Sequence, residues 1–153
     1  MADTFVVERK KKIAAAPDEV FAHLVDLHKW EAWSPWAALD PDMNKTYSGD
    51  AGAVGQHYHW VGNRKVGEGK MTVSEVEAPS RVAIDLEFIK PFKSQNVTEM
   101  MVAADGDGSE VTWRMTGPHT LMTKIMGIFR SMDKMVGPDF EKGLTSLKGV
   151  VEG

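Results

Sequence analysis

His57 and His59 stand two residues apart, so on an extended strand both rings would reach one metal ion. A third ligand is missing from their neighbourhood, and two solvent-facing histidines fit the pattern better. Asp105, Asp107, Ser109 and Glu110 space their oxygens somewhat as a calcium loop does. The glycines there are misplaced, no helices flank the segment, and the glutamate comes too early to close a bidentate cage. A hairpin turn is the expected structure. Gly62, Gly67 and Gly69 join two strands, whereas dinucleotide-binding glycines open a helix. The chain has no cysteine, which excludes disulfides, thiol nucleophiles and zinc–thiolate sites. No serine stands in a readable nucleophile arrangement. Neither a metal nor a cofactor is therefore expected.

General acid–base catalysis needs a titratable group inside a pocket, beside a partner that tunes it. Strand parity turns Asp85, Glu87, Glu99 and Arg114 away from the core. Glu75 sits near a strand end. His119 follows Pro118 where a C-terminal helix should begin, a position that suits a cavity mouth. It is a weak catalytic candidate, and a surface cap is the competing reading.

The stronger signal is aromatic. Trp30, Trp33 and Trp36 recur at spacing three, which lines one face of a short helical turn until Pro35 stops it. Tyr58, Trp60 and Trp113 occupy alternate positions of strands. Methionine adds to this: of ten, eight lie between Met71 and Met135. Thioether side chains fill irregular apolar space, so they suit loose cores and accommodating pockets alike. Rings and thioethers gathered this way either pack a core or line a cavity.

The elements that must hold these residues follow two periods. Phe5 to Ile13 reads as a strand with one exposed face, its Arg9–Lys12 run suited to blocking unwanted edge pairing. Pro17-Asp18-Glu19 opens a helix, with proline in the first turn and acids at the positive dipole end. Val20, Phe21, Leu24 and Val25 give it one apolar stripe. From Asn44 to Gly117 the period is two. Gln56–Val61, Gly69–Val76, Val82–Phe88, Val97–Ala104 and Val111–Met115 read as strands joined by tight turns, an antiparallel meander. Tyr58 and Trp60 share a face, and the neighbouring histidines take the other. Leu121, Ile125, Ile128, Phe129, Met132 and Met135 then form a helical stripe, and Phe140, Leu144, Leu147 and Val151 a second, rotated one. Pro138 lies between them, so a kink or break is expected near Gly137.

A chain of 153 residues fits one domain over residues 1–153, large enough for a sizeable core. The net charge of −4 argues against nucleic acid as a partner. No apolar run is long enough to span a bilayer, so no integral membrane association is expected. Met1-Ala2-Asp3-Thr4 lacks the basic and apolar regions of a signal peptide, and a cytoplasmic location is the expectation.

Particular segments carry a family resemblance. Ile13-Ala14-Ala15-Ala16-Pro17-Asp18-Glu19-Val20-Phe21 resembles the opening of the START-like (SRPBCC) superfamily. Trp33-Ser34-Pro35-Trp36 with Asp40-Pro41, Tyr58-His59-Trp60-Val61-Gly62, Val66-Gly67-Glu68-Gly69-Lys70-Met71 and Val111-Thr112-Trp113 are similar to its polyketide cyclase/dehydrase branch. The resemblance implies an α+β helix-grip fold. A curved antiparallel sheet of six or seven strands wraps a long C-terminal helix, with two short helices after the first strand. It also implies an apolar cavity between sheet and helix. One scaffold serves lipid carriers, receptors, allergens, cyclases and chaperone activators in this superfamily, and no catalytic motif carries over residue by residue. The expected partner is a small hydrophobic molecule, whether lipid, polyketide or aromatic. Its expected contacts are Trp33, Trp36, Tyr58, Trp60, Met71, Phe88, Met100, Trp113, Met115, Ile125 and Phe129. The alternatives are a cyclase or dehydratase acting on an aromatic or polyketide-like substrate, and a protein-interaction module with a packed interior.

Overall fold

The computed structural model describes residues 4–34, 42–63, 67–90, 93–118 and 132–152. Seven antiparallel strands form one sheet: β1 (Thr4–Ile13), β2 (Asn44–Ser48), β3 (His57–Val61), β4 (Glu68–Glu77), β5 (Arg81–Lys90), β6 (Ser94–Asp105) and β7 (Gly108–Pro118). Their spatial order is β1-β7-β6-β5-β4-β3-β2. Strands two to seven are thus a meander, and the first strand closes onto the last. The helix-grip expectation holds. The six-to-seven-strand range resolves to seven because Asn44–Ser48, polar though it reads, pairs with β3.

Alternation does most of the folding work. On β5, Val82 and Ile84 are buried while Asp85 is exposed. The β6–β7 hairpin turns through Gly106 and Asp107, with Asp105 opposite Gly108. Gly106 has φ +60°, a conformation that glycine adopts without steric penalty. Charged side chains occupy the outer face as parity requires. Arg81 bonds Glu75, Glu77 and Glu99, and Arg114 bonds Glu8.

Helix α1 (Pro17–Val25) carries proline in its first turn, acidic Asp18 and Glu19 beside it, and buries Val20, Phe21 and Leu24. The turn that holds Trp30 is a 3-10 helix, Leu27–Ala32, capped where the Asp26 carboxylate accepts from the His28 backbone N–H. Helix α2 (Met132–Glu152) packs mainly against β1, with Phe140, Leu144 and Leu147 buried at helical spacing.

Of the kink or break expected near Gly137, the break is absent: α2 stays helical through Pro138. Proline removes one backbone bond and crowds the preceding turn, at a cost of roughly 3 kcal/mol. Burial of three large apolar side chains just beyond it offsets that cost at roughly 1.5–3 kcal/mol each. Leu121–Phe129 lies outside the described residues.

Among the described residues no helix is long and apolar enough to cross a membrane.

Candidate ligand-binding wall

The described aromatic residues share one buried core, and within it their ring contacts form two runs that the sequence does not distinguish. The first run is sealed. Trp113 stacks on Phe140 of α2 at 4.1 Å and meets Trp30 and Trp33 edge-on at 5.9 and 5.5 Å. The Trp30 indole N–H donates to the Leu24 carbonyl and that of Trp33 to the His23 carbonyl. Trp33, Met100 and Trp113 are 1%, 0% and 2% exposed, so their surfaces are taken up by protein neighbours. This cluster joins α1, the 3-10 helix, the sheet and α2.

The second run forms a wall on the inner face of β2 to β5. Register explains its composition. Tyr47 lies opposite Tyr58, Tyr58 opposite Met71, Met71 opposite Leu86, and Leu86 opposite Asn96. The next inward row runs Lys45, Trp60, Gly69 and Phe88. Rings stack along the wall: His28 on Tyr47 at 4.0 Å, Tyr47 on Tyr58 at 4.8 Å, Tyr58 on Trp60 at 5.7 Å. Phe88 then meets Trp60 edge-on at 6.0 Å. Trp60 needs Gly69 beneath it, since a Cβ there would lie 2.5 Å from the indole. A register shift between Glu68 and Gly69 brings that glycine into place.

Polar groups gather at the β2 end of the wall. The Tyr47 hydroxyl donates to Glu31 at 3.0 Å, and the Lys45 ammonium bonds the same carboxylate. The Lys45 hydrogen bond is the chief cause that holds the Glu31 pKa down. Burial, with the Glu31 carboxylate second, pushes Tyr47 upward. Burial, followed by the Glu31 charge, pushes Tyr58 up to about 12. Both hydroxyls are therefore neutral at any ordinary pH and keep a proton to donate.

Behind this end lies Gln56, fully buried. Its Oε1 accepts from the Leu27 and Gly52 backbone N–H groups, and its Nε2 donates to Asp26 at 3.1 Å. Burial works to raise the Asp26 pKa, but hydrogen bonds from Gln56 and His28 outweigh it and leave the pKa lowered. A carboxyl depressed on folding adds stability above its unfolded pKa and loses it as pH falls through the folded value. Asp26→Asn is expected to show a shallower loss of stability than the parent below about pH 4, the ordinary aspartate value. Urea midpoints followed down the acid limb would check this, and parallel curves would contradict it.

Of the sequence-predicted contacts, Tyr58, Trp60, Met71 and Phe88 come together on the wall. Met115 sits in the adjoining buried row, opposite Val7 and Thr98. Trp33, Met100 and Trp113 belong to the sealed cluster. Trp36, Ile125, Phe129 and the catalytic candidate His119 lie outside the described residues. Tyr47, Glu31, Gln56, Leu86 and Asn96 were not foreseen as site residues. Gln56 shares strand parity with Tyr58 and Trp60, the one signal that pointed inward. His57 and His59 do face outward, but they are half-buried rather than free in solvent. His57 Nδ1 lies 2.9 Å from Thr72 Oγ1, and His59 Nε2 lies 2.9 Å from Glu68. Among the described residues no three His, Cys, Asp or Glu side chains converge on a metal site.

The outer face has a concavity of its own, about 620 Å³. The outward row His57, Thr72, Asp85, Val97 and Thr116 lines it, with Lys70, Glu87 and Gln95 alongside and their chain neighbours Leu86, Asn96 and Gly117. It is open and of mixed polarity, with charged Lys70, Asp85 and Glu87 on its lining, unlike the aromatic wall on the inner face.

Comparison with known proteins agrees with this architecture. The sequence profile described as "Polyketide cyclase / dehydrase and lipid transport" matches residues 4–152. Protein TTHA0849 from Thermus thermophilus superposes with a TM-score of 0.69 at 15% identity, over 96% of this chain and 97% of that one. Protein CV1439 from Chromobacterium violaceum gives 0.68 at 12% identity, over 97% and 98%. The Aha1 dimer structure from Colwellia psychrerythraea gives 0.64 at 16% identity, over 97% and 96%. At these identities the likeness concerns the fold. No curated relative matches the sequence.

Proposed function

The chain belongs to the polyketide cyclase/dehydrase and lipid transport family, and from that premise we propose that it reversibly binds a small hydrophobic molecule on the inner aromatic wall. The observation that carries this reading is the continuous run of rings from His28 through Tyr47, Tyr58 and Trp60 to Phe88 on the inner face of the sheet. Flat rings and flexible Met71 and Leu86 side chains offer contact area without demanding one ligand shape. A ligand burying ~200 Å² of apolar surface there gains about 5 kcal/mol from its removal from water. The neutral Tyr58 hydroxyl supplies a polar contact at one end.

A lipophilic dye such as Nile red is expected to bind one-to-one and raise the melting temperature, because it binds the folded state alone. Trp60→Ala is expected to weaken that binding by about tenfold, while costing less stability than the ~3–5 kcal/mol of a fully packed ring. His59→Ala, on the other face, should change stability by no more than about 1 kcal/mol, as for the loss of one partly exposed hydrogen bond. Denaturant unfolding and dye titration of both variants check these values. If no dye, fatty acid or polyaromatic binds, the packed-module reading replaces this one. If His59→Ala proves the damaging change, the inward assignment of β3 is wrong.

One observation favours a cyclase or dehydratase as the second reading. Titratable His28, Glu31, Lys45 and Tyr47 meet at the end of the wall, where a bound ring system would present its substituents. Turnover of an aromatic polyketide that is lost in Glu31→Gln, with dye affinity retained, would establish it.

A further inference from the structure

Asn96 is 7% exposed, yet among the described residues no donor reaches its Oδ1. A buried acceptor without a partner is unfavourable, and native structures show few of them. Its place in the sheet indicates what such an acceptor can serve. Asn96 ends the inward row Tyr58, Met71, Leu86, Asn96, in direct register across four strands. Three strand spacings of ~4.8 Å put it about 14 Å from Tyr58. Between them lie two apolar side chains. On its other side β7 offers Gly117, which has no side chain to occupy the space: the next β7 residue, Thr116, already pairs with Val97.

The geometry points to Asn96 as the polar anchor of the wall, selecting elongated apolar molecules that carry a hydrogen-bond donor, a hydroxyl or N–H, at the end lying over β6. This inference rests on the binding reading above and adds ligand polarity and orientation to it. Such a molecule lays its apolar length over Leu86 and Met71, toward the rings of Tyr58 and Trp60. Its donor pairs with the Asn96 carbonyl oxygen.

Two probes of nearly equal shape test this: 4-phenylphenol, which carries a donor, and 4-methylbiphenyl, which does not. In the parent protein the phenol should bind about tenfold more tightly than the methyl compound, the worth of one buried hydrogen bond. In Asn96→Leu that ratio should fall to about one, with 4-methylbiphenyl affinity retained or improved. Tyr58→Phe should leave the ratio intact, which separates the two polar ends. Asn96→Ala carries the same test if Asn96→Leu fails to fold. If both probes bind but the parent shows no preference, or the preference survives in Asn96→Leu, the anchor is refuted while the binding reading stands. If neither probe binds, nor any dye, both fall together.

Discussion

Trp113→Ala is expected to remove about 3–5 kcal/mol of folding stability, the cost of deleting a large ring from a packed interior. That is a large part of the ~5–15 kcal/mol that holds a typical domain together. The size follows from what the ring touches. It lies face to face with Phe140 at an interplanar angle of 7° and edge-on to Trp30 and Trp33. Its loss leaves a void where α2, the 3-10 helix and the sheet meet, and none of these can close it without moving the others. Urea unfolding measures the cost. Phe140→Ala and the double variant would show coupling, because the two rings stack directly on each other. A cost below about 2 kcal/mol would mean that the neighbourhood collapses into the space, unlike a close-packed core.

Gln56→Leu should be the other severe change, at about 3 kcal/mol, although no charge or ring is lost. The substitution keeps the volume and removes an acceptor. The backbone N–H groups of Leu27 and Gly52 then lose their oxygen, and each orphaned buried donor costs about 1–3 kcal/mol. The same change frees Asp26 from one of the bonds that hold its pKa down. Thermal and urea unfolding of Gln56→Leu beside the mild His59→Ala would show the contrast. A loss below about 1 kcal/mol, the range of an ordinary surface change, would mean that water replaces the glutamine oxygen.

Gln56 also shows where sequence reading stops. Strand alternation made the fold legible, since Val82, Ile84 and Tyr58, Trp60 announce which face is buried. The two-residue period begins at Asn44, yet Asn44-Lys45-Thr46-Tyr47-Ser48 stands out as no strand of its own, because no apolar alternation marks it and pairing with β3 makes it one. Alternation also places Trp113 and Trp60 on the same inner face without separating core from wall. What marks Trp113 out is Phe140 of α2 stacked over it, information held in tertiary packing. Pro138 stays within the helix for a related reason. Its local penalty is outweighed by the burial of Phe140, Leu144 and Leu147, which tertiary packing supplies. Hydrogen-bond partners such as Glu31 for Tyr47 join segments that share no sequence pattern.

The closure of β1 onto β7 carries a consequence for how the chain reaches this structure. Glu8 and Arg114 face each other across that seam from positions 106 residues apart, whereas every other strand pairs with its neighbour in sequence. Joining distant segments sacrifices chain entropy before it gains contacts, so local hairpins are kinetically favoured to form first. The meander should then assemble as the nucleus, and β1 should dock late together with α2, which rests on it. Glu8→Ala is accordingly expected to accelerate unfolding with little effect on the refolding rate, and Ile84→Val to slow refolding. Stopped-flow chevrons would decide the order of events. A refolding rate reduced by Glu8→Ala as much as by Ile84→Val would place the seam in the transition state instead.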